Sequence, residues 1–253
     1  MIEIKLYNGD CLKEMNNIED NSIDCIICDL PYGTTICEWD NVIDFNELWI
    51  CYHRILKPNS TVVLFASGLF TYQVYQSNVK DYKYKLIWKK NVPTGMTSAK
   101  YRPMKYYEEL LVFQKGNPVY NPQLKPRVGV GKSCYNYEHY CGDSNHVSLE
   151  KQKKMYDPDF VQPSDVLEFD VVPNRHGKIH PTQKPVDLIE WIIKTYTNKS
   201  NTILDNCMGS GSTGIACLNT ERNFIGIEMD NNYFNSAKKR IFNRNNELER
   251  KLF

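Results

Sequence analysis

The sequence predicts an α/β protein built on a mixed, largely parallel sheet with helices on both faces. Three observations carry that reading. Short apolar runs of strand length alternate with longer stretches of helical periodicity along most of the chain. The run "IDCIIC" at 23 to 28 is almost unbroken in its apolar character, the pattern of a strand covered on both faces in a parallel sheet. A chain of 253 residues can bury the core of one large domain, or of one domain carrying an insertion.

Taken in order, strand character occupies residues 2 to 7 and 23 to 28, helical periodicity 45 to 56, a strand 61 to 66 and a helix 68 to 79. Two further strands, near 84 to 89 and 108 to 114, are expected to pair antiparallel. After Gly116 the periodicity fades into a stretch rich in Asn, Pro, Gly, Tyr and Lys, which reads as an insertion over 117 to 170. Regularity returns with a helix from Pro185 to about Tyr196, a strand at 202 to 205, a helix from about Ser212 to Thr220, a strand at 224 to 228 and a long polar helix from about Asn232. The chain therefore divides into 1–116, 117–170 and 171–253, the first and last being halves of one domain, and it shows no internal repeat.

Lys and Arg number 31 against 30 Asp and Glu, so affinity for a polyanion has to come from a local patch. The N-terminus "MIEIKLYNGD" lacks the apolar core of a signal peptide, and no run is long enough to span a bilayer, so a cytoplasmic protein without membrane contact is expected. The nine cysteines are scattered rather than framed for disulfides, which suits a reducing compartment. Cys25 and Cys28 have C-x-x-C spacing, but a strand points i and i+3 to opposite faces and so denies them a shared zinc. Cys134, His139, Cys141 and His146 match no strong zinc signature and read as free thiols and loop histidines; no metal is expected.

Chemistry concentrates in two motifs. The 23 to 28 run leads straight into "DLPYG", which sets Asp29 at a strand's carboxyl end, where open α/β sheets bind ligands, followed by a proline-stiffened turn and Tyr32. The second motif, "ILDNCMGSGSTG" at 203 to 214, ends a strand at Asp205 and passes through Met208, Gly209 and Gly211 into a helix whose N-terminal N–H groups and dipole face a ligand. One strand later Glu228 stands 17 residues beyond Gly211, an interval suited to a carboxylate that accepts hydrogen bonds from ribose hydroxyls. The turn lacks a P-loop lysine and follows an apolar strand that ends in an acid, and Asp205 there would repel a pyrophosphate. Acids at both positions suit a cofactor bearing hydroxyls, an ammonium and a sulfonium, as S-adenosylmethionine does.

With "DLPYG" followed 176 residues later by "DNCMGSGSTG", the sequence resembles the β-group of DNA amino methyltransferases, in which a D-P-P-Y motif precedes the glycine motif. The resemblance covers most of the chain and implies a Rossmann-like S-adenosylmethionine-dependent methyltransferase fold with permuted motif order and an inserted target-recognition region at 117 to 170. It implies that "GDC" at 9 to 11, with Asp10 and Cys11, contacts the cofactor adenine, and that "HPTQKP" at 180 to 185, with Lys184, lies beside the cofactor's methionine end. Asp29, Leu30, Pro31 and Tyr32 then form the catalytic turn, with Leu30 where the family commonly has proline, a position that acts through its main-chain carbonyl. An exocyclic amine hydrogen-bonded to Asp29 and to the Leu30 carbonyl would present its lone pair to the methyl donor, and the flipped base would stack on Tyr32. Trp39 is expected in a loop over that base. Lys89, Lys90, Lys100, Arg102 and Lys105, around a Gly/Pro loop, suit phosphate contacts, and Arg127 and Lys132 in the insertion are placed near base edges.

The expected activity is site-specific methylation of adenine N6 in double-stranded DNA. A homodimer and a cognate restriction nuclease are the further partners considered. The alternatives are an N4-cytosine enzyme, which in this family more often carries Ser at the position of Asp29, an RNA methyltransferase, and a non-enzymatic nucleic-acid-binding module on the same scaffold.

Overall fold

A computed structural model describes residues 2–33, 41–127, 159–173 and 183–250. Trp39, Lys132 and the Cys134 to His146 cluster lie outside the described residues, as does the first half of "HPTQKP". The chain forms two compact units, one of Met1–Asn121 with Asp165–Phe253 and a small one of Pro122–Ser164.

The larger unit is built on an eight-stranded sheet. Its strands are β1 (Ile4–Asn8), β2 (Ile23–Cys28), β3 (Leu56–Ala66), β4 (Tyr82–Thr94), β5 (Lys105–Lys115), β8 (Val166–Glu168), β9 (Thr202–Asp205) and β10 (Asn223–Glu228), in the order β1-β10-β9-β2-β3-β5-β4-β8. Only β5 runs antiparallel to its neighbours β3 and β4. The small unit holds β6 (Lys125–Pro126) paired antiparallel with β7 (Phe160–Val161). Its bounds fall inside 117–170 because Val166–Glu168, read from composition as insertion, pairs with Ile87–Lys89 at the edge of the main sheet.

β2 sits in the middle, between β9 and β3, and its sequence shows why. Cys25 and Ile27 enter the core on one face, with Val63, Leu188 and Ile192. Ile26 and Cys28 enter the core on the other, with Leu48, Tyr52 and Phe70. The two cysteines do point apart, and a register shift between Ile23 and Cys25 brings Ile23 onto the same face as Ile26. Helices α2 (Phe45–Ile55) and α3 (Leu69–Ser77) cover one face, and α4 (Val186–Tyr196), α5 (Ser212–Thr220) and α6 (Asn231–Arg250) contribute to the other. Truncating Ile26 or Ile27 to Ala would remove methylenes from a sealed core, at about 2–5 kcal/mol each.

The order of strands also sets the site. From β2 the chain moves through α2 to β3 on one side, and from β9 through α5 to β10 on the other, so the connections diverge between β2 and β9. A crevice opens at such a switch point, beyond the carboxyl ends of the strands. Here those ends are Cys28, followed by Asp29, and Asp205.

Candidate active site

A cavity of about 1000 Å³ occupies that edge and is lined by, among others, Asp10, Asp29, Glu108, Lys184, Asp205 and Glu228. Its acids fall into two chemically different groups.

On the β2 and β5 side Asp29 and Glu108 each have a lysine. Asp29 Oδ2 accepts from Lys184 Nζ, and Oδ1 accepts from the Tyr32 hydroxyl at 3.0 Å. Lys184 Nζ also lies 3.4 Å from Glu108 Oε2, while Glu108 Oε1 accepts from Lys90 Nζ at 2.5 Å. Burial raises the Asp29 carboxyl above its ordinary value, against the pull of Lys184. Glu108 is also buried, but the two ammonium groups beside it outweigh burial and hold it below the carboxylate range. Burial alone would lower Lys184; Asp29 and Glu108 together raise it, so it stays an ammonium. The Tyr32 ring stacks on Phe70, centroids 4.5 Å apart and planes 21° from parallel, and burial followed by the nearby acids raises its hydroxyl. Leu30, 2 % exposed, anchors the turn through its side chain where proline would do so through its ring.

On the β1, β9 and β10 side the acids have N–H and O–H donors. Asp205 accepts from Thr213 Oγ1 at 2.6 Å and from the Cys207 N–H at 3.2 Å, and burial pushes it up to about 7. Glu228 accepts from the Gly209 N–H at 2.8 Å and the Asp230 N–H at 2.9 Å, and burial raises it too. Because β1 pairs with β10 in register Asn8↔Glu228, the turn after β1 is delivered beside Glu228. Asp10 caps α1 (Cys11–Glu14) there, its Oδ1 accepting from the Leu12 and Lys13 N–H groups. The Cys11 thiol is raised by its hydrogen bond with Cys207 and then by burial, which makes it an inert wall.

A family model described as DNA methylase matches residues 23–239, most of the chain. The chain belongs to the N6/N4 DNA methylase family. It is 29% identical to Type II methyltransferase M.HpaI of Haemophilus parainfluenzae, over 94% of this chain and 74% of that protein. It is also 29% identical to Type II methyltransferase M2.MboI of Moraxella bovis, over 93% of this chain and 86% of the relative. Among solved structures, M1.HpyAVI in complex with SAM superposes with a TM-score of 0.62 at 28% identity, over 94% of this chain and 99% of that one. The cytosine-N4-specific PvuII DNA methyltransferase matches with a TM-score of 0.65 at 15% identity, over 96% and 92%, which bears on the fold alone.

In this family member the structure brings Asp10, Cys11, Asp29, Leu30, Pro31, Tyr32, Lys184, Asp205, Met208, Gly209 and Glu228 to one cavity. Gly211 is a correction. It does not line the cavity; its φ of +73° suits glycine, and a Cβ there would stand 3.0 Å from Ile241 Cδ1 and 3.1 Å from Ala237 Cβ, so α6 rather than a ligand requires it. Gly209, at φ +48°, is the turn glycine that faces the cavity. Lys90 is a second correction: it is 7 % exposed, bound to Glu108 and stacked over Trp88, which withdraws it from any surface patch. Lys89 is exposed but pairs with Glu168 across the β4 and β8 edge at 2.7 Å. Lys100 and Arg102 are exposed on the loop from β4 to β5, and Lys105 lies over the Tyr107 ring. Arg127 belongs to the small unit, its N–H bonded to the Asp159 carbonyl at 2.8 Å.

Three residues escaped the sequence reading. Glu108 shares the face of Leu110 and Val112, while Glu109 turns the other way and accepts from Thr71 at 2.6 Å, so strand alternation in "YYEELLVF" held the signal. Phe70 stacks on Tyr32 from the first turn of α3. Asn206 accepts from Tyr52 at 2.6 Å and lines the cavity between the two motifs.

Proposed function

We propose that this protein transfers a methyl group from S-adenosylmethionine to the exocyclic N6 amine of an adenine flipped out of duplex DNA. The observation that carries the reading is the single cavity that holds both Asp29, at the end of β2, and the buried acids Asp205 and Glu228, which have no lysine or arginine against them among the described residues. A buried carboxylate left without a counter-ion complements a cationic ligand.

The residues fit the cofactor. Glu228 keeps lone pairs for hydroxyl donors, Asp205 suits an ammonium, and Asp10, both of whose caps fall on Oδ1, keeps Oδ2 as an acceptor for an adenine amino group. When bound, S-adenosylmethionine supplies an electrophilic methyl group on a sulfonium.

The chain's own residues prepare the nucleophile. An aromatic amine is a weak nucleophile because its lone pair is delocalised into the ring; hydrogen bonds from the amine to the Asp29 carboxylate and the Leu30 carbonyl favour a localised pair. They also stabilise the positive charge that develops on nitrogen. Tyr32, backed by Phe70, offers its ring to the extruded base, which recovers part of the few kcal/mol of lost stacking. Lys100 and Arg102 meet backbone phosphates, and the 117–170 region reads the target sequence.

Incubation with unmethylated genomic DNA and labelled S-adenosylmethionine, followed by nucleoside analysis, tests the reading. N6-methyladenine is the expected product. N4-methylcytosine would overturn the base assignment, and label only in RNA would overturn the DNA assignment.

A further inference from the structure

One atom of the lysine and acid chain has no task in the chemistry above. Glu108 Oε2 is buried and accepts no formed hydrogen bond among the described residues, although Lys184 Nζ stands at ion-pair distance, 3.4 Å. Buried acceptors are ordinarily satisfied, so an orphan facing a cation marks a place that a donor occupies in another state. Asp29 has the opposite condition. Both of its oxygens are engaged, and Lys184 holds the positive charge at Oδ2, where an incoming amine that becomes cationic during transfer would meet like charge.

We propose that Lys184 is a counter-ion shared by two acids, neutralising Asp29 in the substrate-free protein and moving to Glu108 Oε2 when the target amine takes its place. This rests on the amine-methylation reading above and names Glu108 and Lys90 as positioning residues for it. The movement is small: closing 3.4 Å to a charge-assisted hydrogen bond needs roughly 0.6 Å. No proton changes hands, because Lys184 remains an ammonium between two carboxylates. The Phe65 ring, 5.2 Å from Nζ, offers its face to the same cation. Lys90 fixes Glu108 through Oε1 and leaves Oε2 as the receiving atom. Two acids and two lysines sum to zero, so the chain stays neutral with Lys184 at either acid.

The test is Glu108→Gln, which keeps the shape and removes the receiving charge. With Lys184 held on Asp29, single-turnover methyl transfer should fall roughly tenfold or more, while cofactor affinity stays within about threefold. A binding readout accompanies it: the preference for adenine over a purine lacking the 6-amine at the mapped target base should shrink. Adding Lys184→Met to Glu108→Gln removes the competing cation and should restore part of both. If Glu108→Gln does not fold, Lys90→Met with Glu108→Gln removes a neutral pair and carries the same expectation. An unchanged rate and preference in Glu108→Gln, or a Lys184→Met/Glu108→Gln double variant no faster than Glu108→Gln, would overturn the inference. Failure of the unaltered protein to methylate any nucleic acid would instead overturn the reading on which it rests.

Discussion

On the proposed assignment, the buried carboxyl of Asp205 makes cofactor binding a titration. Burial raises it from near 3.8 to about 7, only partly offset by the Thr213 hydroxyl and the Cys207 N–H. If the ligand's ammonium needs the ionised form, apparent affinity scales with the ionised fraction, about one-tenth at pH 6 and one-half at pH 7. Affinity for S-adenosylmethionine should therefore rise about fivefold across that interval, and binding at pH 6 should release about 0.9 proton per site. The ligand's own α-amino group, with an ordinary value near 7.7–8.0, stays protonated over this window. Calorimetry at pH 6.0, 6.5 and 7.0 in two buffers of different ionisation enthalpy measures both quantities. Asp205→Asn should bind more weakly and lose the step. Without ligand the sign reverses: a folded value raised above the unfolded one gives stability that is present below about pH 4 and lost as pH rises through about 7, a change of roughly 4 kcal/mol at most. Asp205→Asn should therefore gain melting temperature relative to the unaltered protein as pH rises. Equal pH dependence of binding in the two proteins, or no proton release at pH 6, would refute the assignment.

Three other outcomes are expected. Asp29→Ala should lose at least about 100-fold in methyl transfer with cofactor affinity nearly intact; Tyr32→Phe, which keeps the ring on Phe70, should retain more activity than Tyr32→Ala, as read by single-turnover assays. Gly211→Ala should destabilise the fold by about 1–2 kcal/mol from its positive φ alone, with further loss from Ile241, measured by denaturant titration; normal stability would return Gly211 to the binding role. Lys100→Ala and Arg102→Ala should each reduce the slope of log affinity against log salt by about 0.9 on duplex DNA, whatever its sequence.

What could be read from the sequence was whatever depends on local pattern. The strand at 202 to 205 matched to the residue and the helix expected from about Ser212 to Thr220 lies there, because each is bounded by a turn signal. β3 starts at Leu56 rather than 61, since Leu56 pairs with Ile23 before a register shift, which no periodicity of a single strand reveals. The partners of two lysines escaped the sequence for one cause. Lys90 and Lys184 read as ordinary surface or cofactor-facing cations until Glu108 arrives from β5 and Asp29 from β2, partners 18 and 155 residues away. Gly211 was misjudged for the same reason: the constraint comes from α6, 30 residues on, and a glycine motif does not say which of its glycines faces a ligand.

The cavity's division of charge ties the two motifs together. An acid with no counter-ion is costly in a folded protein unless a cation arrives, so Asp205 and Glu228 are suited to a ligand that brings its own positive charge. Asp29 carries its counter-ion in the substrate-free protein, and an acid so paired is poor at holding a further cation. In the proposed transfer the positive charge passes from the first half of the cavity to the second, where Asp29 faces it once Lys184 has moved to Glu108. A lysine fixed on Asp29 would oppose that charge; a lysine between two acids, one with an oxygen unsatisfied among the described residues, can neutralise Asp29 before the amine arrives and Glu108 afterwards.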